Sequence, residues 1–194
     1  MEEEKSEVTP FWLGTTCSDR SFEEYRDLLG FSENEFKGKS ILDIGAGTTQ
    51  EFTKQAAKKG IKVTTINPEL NNKFYRMAPD QRSWWQLRKP KRPLSVAALG
   101  QNLPFKDESF DDITSLIAVP HYLPNDSQLI RQSFREMLRV LKPGEKAYLC
   151  FKKRDLIDQE LSKLETEGIS VLSEDMPGYS QRQRTILEKP LQKI

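Results

Sequence analysis

The sequence lacks a long hydrophobic run and a targeting segment. No stretch of about 18 consecutive apolar residues occurs, so no transmembrane helix is predicted. The first eight residues, MEEEKSEV, are acidic and polar where a secretory signal has a basic start followed by an apolar segment. We therefore expect a cytoplasmic protein that does not associate with membranes.

Cysteine and net charge are also scarce. Cys17 and Cys150 are far apart, and Cys150 lies in an apolar segment, so neither a disulfide framework nor a metal site is predicted. Thirty basic residues face 29 acidic ones, and the formal net charge of +1 gives no general attraction for nucleic acids. The 194 residues fit one domain with its own core.

Strand patterns alternate with helix patterns along the chain. A serine three residues before a glutamate, followed by a closing glycine, indicates a capped helix from Ser21 to Gly30. Further helices are predicted at residues 50–59, 69–76, 127–140 and 154–167, and strands at 40–44, 61–66, 94–99, 110–119, 146–151, 169–172 and 184–188. This alternation predicts a three-layer α/β sandwich with a mainly parallel sheet.

A glycine-rich turn follows the first predicted strand. Gly45 and Gly47 lack a Cβ, so the backbone there can lie against a ligand, and the following helix presents free N–H groups and a positive dipole end. A tight turn without a ligand is the alternative. A dinucleotide dehydrogenase is disfavoured, because its G-x-G-x-x-G motif needs glycine where Gln50 stands.

Four segments occur in a recognisable order. They are ILDIGAG at 41–47, NPE at 67–69, LPFKDESFD at 103–111 and REMLRVLKPG at 135–144. Together they resemble the signatures of the class I S-adenosylmethionine-dependent methyltransferases over residues 38–152. The resemblance implies S-adenosylmethionine as cofactor and a Rossmann-like, seven-stranded sheet with an antiparallel terminal strand. It also implies a methyltransferase-like domain at 38–194, preceded by a helical or lid segment at 1–37.

The resemblance further implies which residues line the cofactor site. The glycine turn would lie near the methionine end of the cofactor, the residue after the second strand near the ribose, and the loop after the third strand near the adenine. The implied residues are Asp43, Gly45, Ala46, Gly47, Asn67, Gln101, Asn102 and Ile117. For Asp43, hydrogen bonds that hold the turn are the alternative role.

Three positions depart from the family pattern. Thr49 replaces the third glycine of the turn, and Leu99 stands where an acidic residue often contacts adenine. Asn67 replaces the ribose-binding acidic residue. A neutral hydrogen bond contributes about 0.5 to 1.5 kcal/mol, whereas one to a charged group contributes about 1.5 to 3 kcal/mol. Weaker cofactor binding is therefore expected.

His121, the single histidine, follows the fourth predicted strand, where the family places residues that line the acceptor cleft. Its intrinsic pKa suits a general base. A histidine packed at a strand end and bonded to backbone is the alternative. Tyr122 and Asn125 are candidates for lining the same cleft.

A basic loop at residues 82–92 carries Trp84 and Trp85 and five Lys or Arg residues. Such a loop can bind phosphates and stack on bases, which predicts a nucleic-acid or nucleotide-bearing partner. A solvated loop whose tryptophans cover the sheet edge is the alternative. Phe11 and Trp12 are candidates for a lid over the cofactor, or for a cap on the core.

The leading functional hypothesis is a methyltransferase that uses S-adenosylmethionine and acts on a small-molecule acceptor. A methyltransferase-like binding or regulatory protein without catalysis is the first alternative, motivated by Thr49, Asn67 and Leu99. A nucleic-acid-binding module that uses the Trp84–Trp85 loop is the second.

Overall fold

The structure, a computed structural model, describes residues 20–47, 50–67, 94–176, 178–179 and 181–191. Its helices are α1 (Phe22–Leu29), α2 (Glu33–Phe36), α3 (Glu51–Lys58), α4 (Ser127–Val140) and α5 (Asp155–Thr166). Its strands are β1 (Ser40–Ile44), β2 (Lys62–Ile66), β3 (Leu94–Val96), β4 (Phe110–Leu116), β5 (Leu141–Lys152), β6 (Ser170–Asp175) and β7 (Arg182–Glu188). Within these residues no helix has the length and apolar character needed to cross a membrane.

The seven strands form one sheet in the order β3-β2-β1-β4-β5-β7-β6. The pairs from β3 to β5 are all parallel, whereas β7 pairs antiparallel with both β5 and β6. The strand order steps outward from β1 in both directions, so the carboxyl ends of β1 and β4 flank a crevice where doubly wound sheets bind ligands. The predicted mainly parallel sheet with an antiparallel terminal strand is confirmed.

One face of the sheet is covered by α4 and α5. Asp126 caps α4, its carboxylate accepting from the N–H groups of Gln128 and Leu129. The buried face of α4 carries apolar residues at helical spacing and packs with α5 on alternate residues of the central strands. The core residues from the helices are Ile130, Phe134, Met137, Leu138, Val140, Ile157, Leu161 and Leu164.

The opposite face is covered by α1, α2 and α3 through a cluster of aromatic rings. Phe52 of α3 stacks on Tyr25 with ring centroids 4.0 Å apart, and Phe31 stacks on Phe36 at the same distance. Such ring pairs contribute beyond their buried area. The sheet therefore lies between two helical layers, which confirms the predicted three-layer sandwich.

The amino-terminal helices belong to this packing. The predicted capping box of α1 is present at Ser21 and Glu24, and Gly30 ends the helix in the left-handed conformation. The short helix α2 was missed, although Ser32 and Glu35 form a second capping box with the same spacing. The division into 1–37 and 38–194 stays a prediction. Phe11 and Trp12 lie outside the described residues.

Several predicted boundaries were wrong. The fourth strand ends at Leu116, because Ile117 takes a left-handed backbone conformation with φ 51°. The fifth strand begins at Leu141, since Leu141 pairs with Phe110 before a bulge displaces the register. The third strand stops at Val96, and the helix predicted at 69–76 lies outside the described residues.

Candidate cofactor and acceptor site

The carboxyl ends of the parallel strands bring the predicted cofactor residues to one edge of the sheet. The glycine turn follows β1, Asn67 follows β2, the loop at 99–102 follows β3 and the loop at 117–125 follows β4. Hydrogen bonds and close contacts join each of these loops to a neighbour, so the edge is held together before any ligand binds.

Both glycines of the turn have positive φ, 84° at Gly45 and 70° at Gly47. The N–H of Gly45 donates to the carbonyl of Ile66 at 2.9 Å, and the N–H of Gly47 donates to the carbonyl of Gly45 at 2.8 Å. A Cβ at Gly45 would collide with the Cβ of Ala118. Glycine is therefore required at position 45 to let the loop after β4 pack closely on the turn, and no ligand is needed to explain it.

Asn67 ties the end of β2 to the glycine turn. Its Nδ2 donates to the carbonyl of Gly47 at 3.3 Å, and its backbone N–H donates to the carbonyl of Val96 at 3.1 Å. The side chain is 6% exposed. An amide can donate this bond whereas a carboxylate cannot, so asparagine at this position stabilises the turn itself.

The first turn of α3 points at the same edge. Gln50 precedes it with φ 55°, and its side chain donates to Ser95 Oγ at 2.7 Å without capping the helix. Side chains do cap α1 at Ser21 and α4 at Asp126. The N–H groups at the start of α3 therefore have no partner from Gln50 and carry the positive end of the helix dipole. Thr48 and Thr49 lie outside the described residues.

Asp43 lies beneath the turn, on the face covered by α1. Its Oδ1 accepts from Thr114 Oγ1 at 2.9 Å and its Oδ2 accepts from the hydroxyl of Tyr25 at 3.5 Å. Burial raises the pKa of Asp43 to about 7, while these two hydrogen bonds act in the opposite direction. Asp43 thus holds α1 and β4 together under the turn, and the role predicted for it at the cofactor stays a prediction.

The loop after β3 lies against the loop after β4. Leu99 is 50% exposed, and its carbonyl accepts from the N–H of Asn102 at 3.0 Å, which closes the turn. A Cβ at Gly100 would lie 2.8 Å from Val119 Cγ2. This contact leaves Gln101 half-buried and Asn102 exposed at the rim, with the apolar Leu99 beside them.

The start of the loop after β4 is tightly held. Ile117 is buried, and its N–H donates to the carbonyl of Cys150 at 2.8 Å. Ser115 Oγ donates to the carbonyl of Val119 at 2.8 Å and accepts from the N–H of that residue at 3.0 Å. A β-branched residue at positive φ is disfavoured, and such strain is found where surrounding contacts impose it, often at functional sites.

His121 lies between the loop after β4 and the end of β5. Its Nδ1 accepts from the backbone N–H of Lys152 at 3.1 Å. The proton of the neutral ring therefore resides on Nε2, so the ring presents a donor and has no free basic nitrogen. Burial, and then the positive charges around the ring, lower the pKa of His121 below its ordinary value. Its role as a general base stays a prediction.

Arg154 holds the same loop and was missed by the sequence analysis. Its guanidinium donates to the carbonyls of Pro120 at 2.6 Å and Leu123 at 2.8 Å, and to Asn125 Oδ1 at 3.1 Å. Burial lowers the pKa of Arg154. The only available signal was a basic residue at the start of the helix predicted at 154–167, and that pattern is common on protein surfaces.

Two further predicted features remain to be placed. The basic loop at 82–92 lies outside the described residues, so the nucleic-acid prediction is not tested by the structure. Within the part of the chain that is described, no three His, Cys, Asp or Glu residues are grouped to hold a metal ion.

The residues at the edge fit an adenosyl amino acid. The start of α3 offers N–H groups to a carboxylate, Asn67 offers an amide group to a hydroxyl, and the exposed Leu99 offers an apolar surface to a planar base.

Comparisons with known proteins agree with this geometry. The profile of the methyltransferase domain family matches residues 42–149. The ubiquinone/menaquinone biosynthesis C-methyltransferase UbiE of Vibrio cholerae is 31% identical over 133 residues, which cover 66% of this chain and 46% of that protein. The chain spans less than half the length of that curated relative.

Solved structures share the fold at lower identity. The PH0226 protein of Pyrococcus horikoshii has a TM-score of 0.61 at 16% identity, with 97% of this chain and 100% of that chain covered. The [4+2]-cyclase SpnF has a TM-score of 0.58 at 17% identity, with 88% and 80% covered. The family match spans more than half of the sequence and includes the glycine turn, Asn67 and the loops after β3 and β4. The chain therefore belongs to the methyltransferase domain family, in its class I form, whose cofactor is S-adenosylmethionine.

Proposed function

We propose that this protein transfers a methyl group from S-adenosylmethionine to a small-molecule acceptor. The observation that carries the proposal is the pre-assembled edge, in which Asn67 is bonded to the glycine turn and Gly45 packs on Ala118. Pre-organised groups orient two reactants without further loss of entropy on reaction, which accounts for much of the rate gain in a displacement.

Cofactor binding would use the start of α3, the turn and Asn67. The N–H groups of α3 bind the carboxylate of the methionine end, and Leu99 packs on the adenine. When bound, the sulfonium would supply an electrophilic methyl group to the acceptor atom. The residues of this chain act by orienting the two partners and by excluding water.

The acceptor would bind beside the loop after β4. Tyr122 is 44% exposed there, and its ring meets that of His121 edge to face with centroids 4.8 Å apart. In this proposal His121 is a positioning residue whose Nε2–H donates to the acceptor, since Nδ1 is already engaged by Lys152. Support for a small acceptor comes from the relative whose name places it in ubiquinone and menaquinone biosynthesis.

A second candidate is a protein that binds the cofactor without transferring its methyl group. The specific observation in its favour is that the fold is shared with a protein named as a [4+2]-cyclase. A shared fold does not fix the reaction, so the two candidates are separated by chemistry at the site.

The test is a calorimetric titration with S-adenosylmethionine and S-adenosylhomocysteine, followed by an assay of methyl transfer from labelled cofactor to a panel of small molecules. Gly47→Ala should weaken cofactor binding about tenfold or more by adding a side chain at the turn. Gly60→Ala is the matched control, because Gly60 has φ 77° and no atom within 4 Å of a Cβ among the described residues.

Each outcome has a distinct meaning. Binding lost in the Gly47 variant and kept in the Gly60 variant supports the proposed site. Binding without transfer to any acceptor favours the second candidate. No heat with millimolar cofactor overturns both, and equal losses in the two glycine variants show that the site is misplaced.

A further inference from the structure

The carboxyl edge of the sheet carries a pair of basic residues that the cofactor site does not use. Lys152, the last residue of β5, lies directly opposite Arg182, the first residue of β7. Side chains of directly opposed residues in an antiparallel pair lie on the same face. We call these two residues the Lys152–Arg182 pair.

The pair faces the α1 side of the sheet. Cys150, two residues before Lys152, is buried in the cluster formed with α1, and Arg184, two residues after Arg182, donates to the carbonyls of Asp27 and Leu28 in α1. Because alternate residues of a strand share a face, Lys152 and Arg182 lie on this same side, just beyond the edge of α1.

Among the described residues, no carboxylate forms an ion pair with either member of the pair. The neighbouring basic residues are paired: Lys153 with Asp175 at 3.1 Å and Arg184 with Glu174 at 2.6 Å. Like charges directly opposite each other destabilise a sheet. The uncompensated repulsion between these two side chains costs stability. Such costs are found at functional sites, where the charges bind a ligand.

Aromatic rings accompany the pair. The guanidinium of Arg182 lies over the ring of Tyr179, 4.8 Å from its centroid, and Tyr179 is 44% exposed. On the other side, the N–H of Lys152 is bonded to His121, whose ring contacts Tyr122. The charges of Arg154, Arg182, Lys152 and Arg20, in that order after burial, lower the pKa of His121, as expected for a positive field at this edge.

Resting on the function proposed above, we infer that the methyl acceptor is a small molecule bearing a carboxylate or phosphate, and that the Lys152–Arg182 pair binds this anionic group. Neighbouring strands are about 4.8 Å apart, so β7 lies about 10 Å from β4, two strands away. A small molecule held by its anionic group at the pair therefore places its other end at the loop after β4. Tyr122 and Tyr179 contact its apolar part.

The test measures binding of two probes, phenyl phosphate and benzoate, to the full chain saturated with S-adenosylhomocysteine in low-salt buffer. The double variant Lys152→Gln/Arg182→Gln should weaken the binding of the preferred probe about tenfold or more. Lys153→Gln is the matched control: it removes one positive charge from the next residue, which pairs with Asp175. It should change the affinity less than about twofold, because its charge is already neutralised.

The two probes distinguish the two sources of the anion. Preference for phenyl phosphate identifies a phosphate-bearing acceptor, and preference for benzoate a carboxylate-bearing one. Absence of binding by both probes overturns the inference, as does an equal loss in the Lys153 control. Binding of a single-stranded oligonucleotide, weakened by the double variant and stronger than that of either probe, also overturns it in favour of a nucleic-acid partner.

Failure of this inference is distinguishable from failure of the proposed function. S-adenosylhomocysteine binding is measured first and alone in every variant. If it is unchanged while neither probe binds, only the anionic acceptor is rejected. If it is absent from the wild-type chain, the proposed function is rejected as well.

Discussion

Two arginines each anchor a connecting segment of the sheet, and their surroundings differ: Arg139 lies near the amino end of β4 and Arg154 near its carboxyl end. Arg139 of α4 donates to the carbonyls of Leu103 and Phe105, in the segment that runs from the loop after β3 to the start of β4, and it also binds the carboxylates of Glu136 and Asp107. These carboxylates raise the pKa of Arg139. The segment before β4 is thus held by a network in which carboxylates compensate the arginine, and the Glu136 carboxylate also accepts from the N–H of Leu103.

Arg154 holds the loop after β4 through carbonyl and amide oxygens only, within the part of the chain that the structure describes. Its positive charge adds to those of Lys152 and Arg182 at the same edge. The comparison shows that two arginines can bind backbone carbonyls in the same way and yet leave different local charges. Carboxylates compensate the charge of Arg139, whereas among the described residues none pairs with Arg154, so a positive charge remains at the carboxyl end of β4.

The largest expected effect comes from separating the loop after β4 from the glycine turn. Gly45→Ala adds a Cβ that collides with Ala118 and forces a non-glycine residue to φ 84°. Strain of about 1–2 kcal/mol plus overpacking of about 1–3 kcal/mol should lower the free energy of unfolding by about 3 kcal/mol. Urea denaturation measures this change.

Gly168→Ala is the control for backbone strain alone. Gly168 has φ 91° and no atom within 4 Å of a Cβ among the described residues, so the variant should lose about 1 kcal/mol. Equal losses in the two variants would show that the loop after β4 does not depend on close approach to the turn.

The next effect concerns the buried carboxyl of Asp43, whose pKa is raised to about 7. The native state then holds a proton that the unfolded state releases near its ordinary pKa. The free energy of unfolding should therefore fall as the pH rises from about 4 to 7, by about 2 kcal/mol between pH 5 and 7.

Asp43→Asn should remove this part of the pH dependence. Urea denaturation of both proteins across pH 5 to 8 gives the comparison, and the difference in stability between them should change in favour of the variant as the pH rises. Parallel curves for the two proteins would contradict a raised pKa for Asp43.

A smaller effect is expected at the neutralised anchor. Arg139→Met removes two bonds to carbonyls and leaves Glu136 without its cation, which should lower the free energy of unfolding by about 1.5 kcal/mol. Arg139→Lys keeps the charge but lacks the forked donor set, so it should recover only part of the loss. Full recovery by lysine would show that charge alone, without the geometry, holds this loop.

The smallest effect on stability is expected at the positive anchor. Arg154→Met frees carbonyls that water can satisfy at the half-buried loop, and should lower the free energy of unfolding by about 1 kcal/mol. Cofactor affinity should stay unchanged while methyl transfer falls, since the anchored loop lines the acceptor side. A loss of cofactor affinity equal to the loss of transfer would contradict the division of the edge into two sides.

The fold was predictable because hydrophobic period and turn chemistry agree along most of the chain. Ser21, Glu24 and Gly30 mark both ends of α1, and the β-branched run before Asn67 indicates β2. The boundaries at β4 and β5 were missed because they depend on the conformation of Ile117 and on a bulge after Leu141, and tertiary contacts decide both.

The site was less predictable than the fold. The glycine turn and Asn67 lie at the carboxyl edge of the sheet, as strand ends in the sequence indicate, but the contact of Gly45 with Ala118 joins residues that are distant in sequence. The same holds for His121, whose ring accepts from Lys152, and for Arg154, whose partners lie about 30 residues earlier in the chain. A local pattern carries no signal for such pairings.

The most direct test of the account is nuclear magnetic resonance of the isotope-labelled chain titrated with S-adenosylhomocysteine. The account predicts amide shifts concentrated at Gly45 to Gly47, at Asn67, at the start of α3 and in the loops after β3 and β4. Two results would contradict the account. One is saturable binding of S-adenosylhomocysteine with no amide shifts at the glycine turn, and the other is no amide shift at any residue with millimolar ligand.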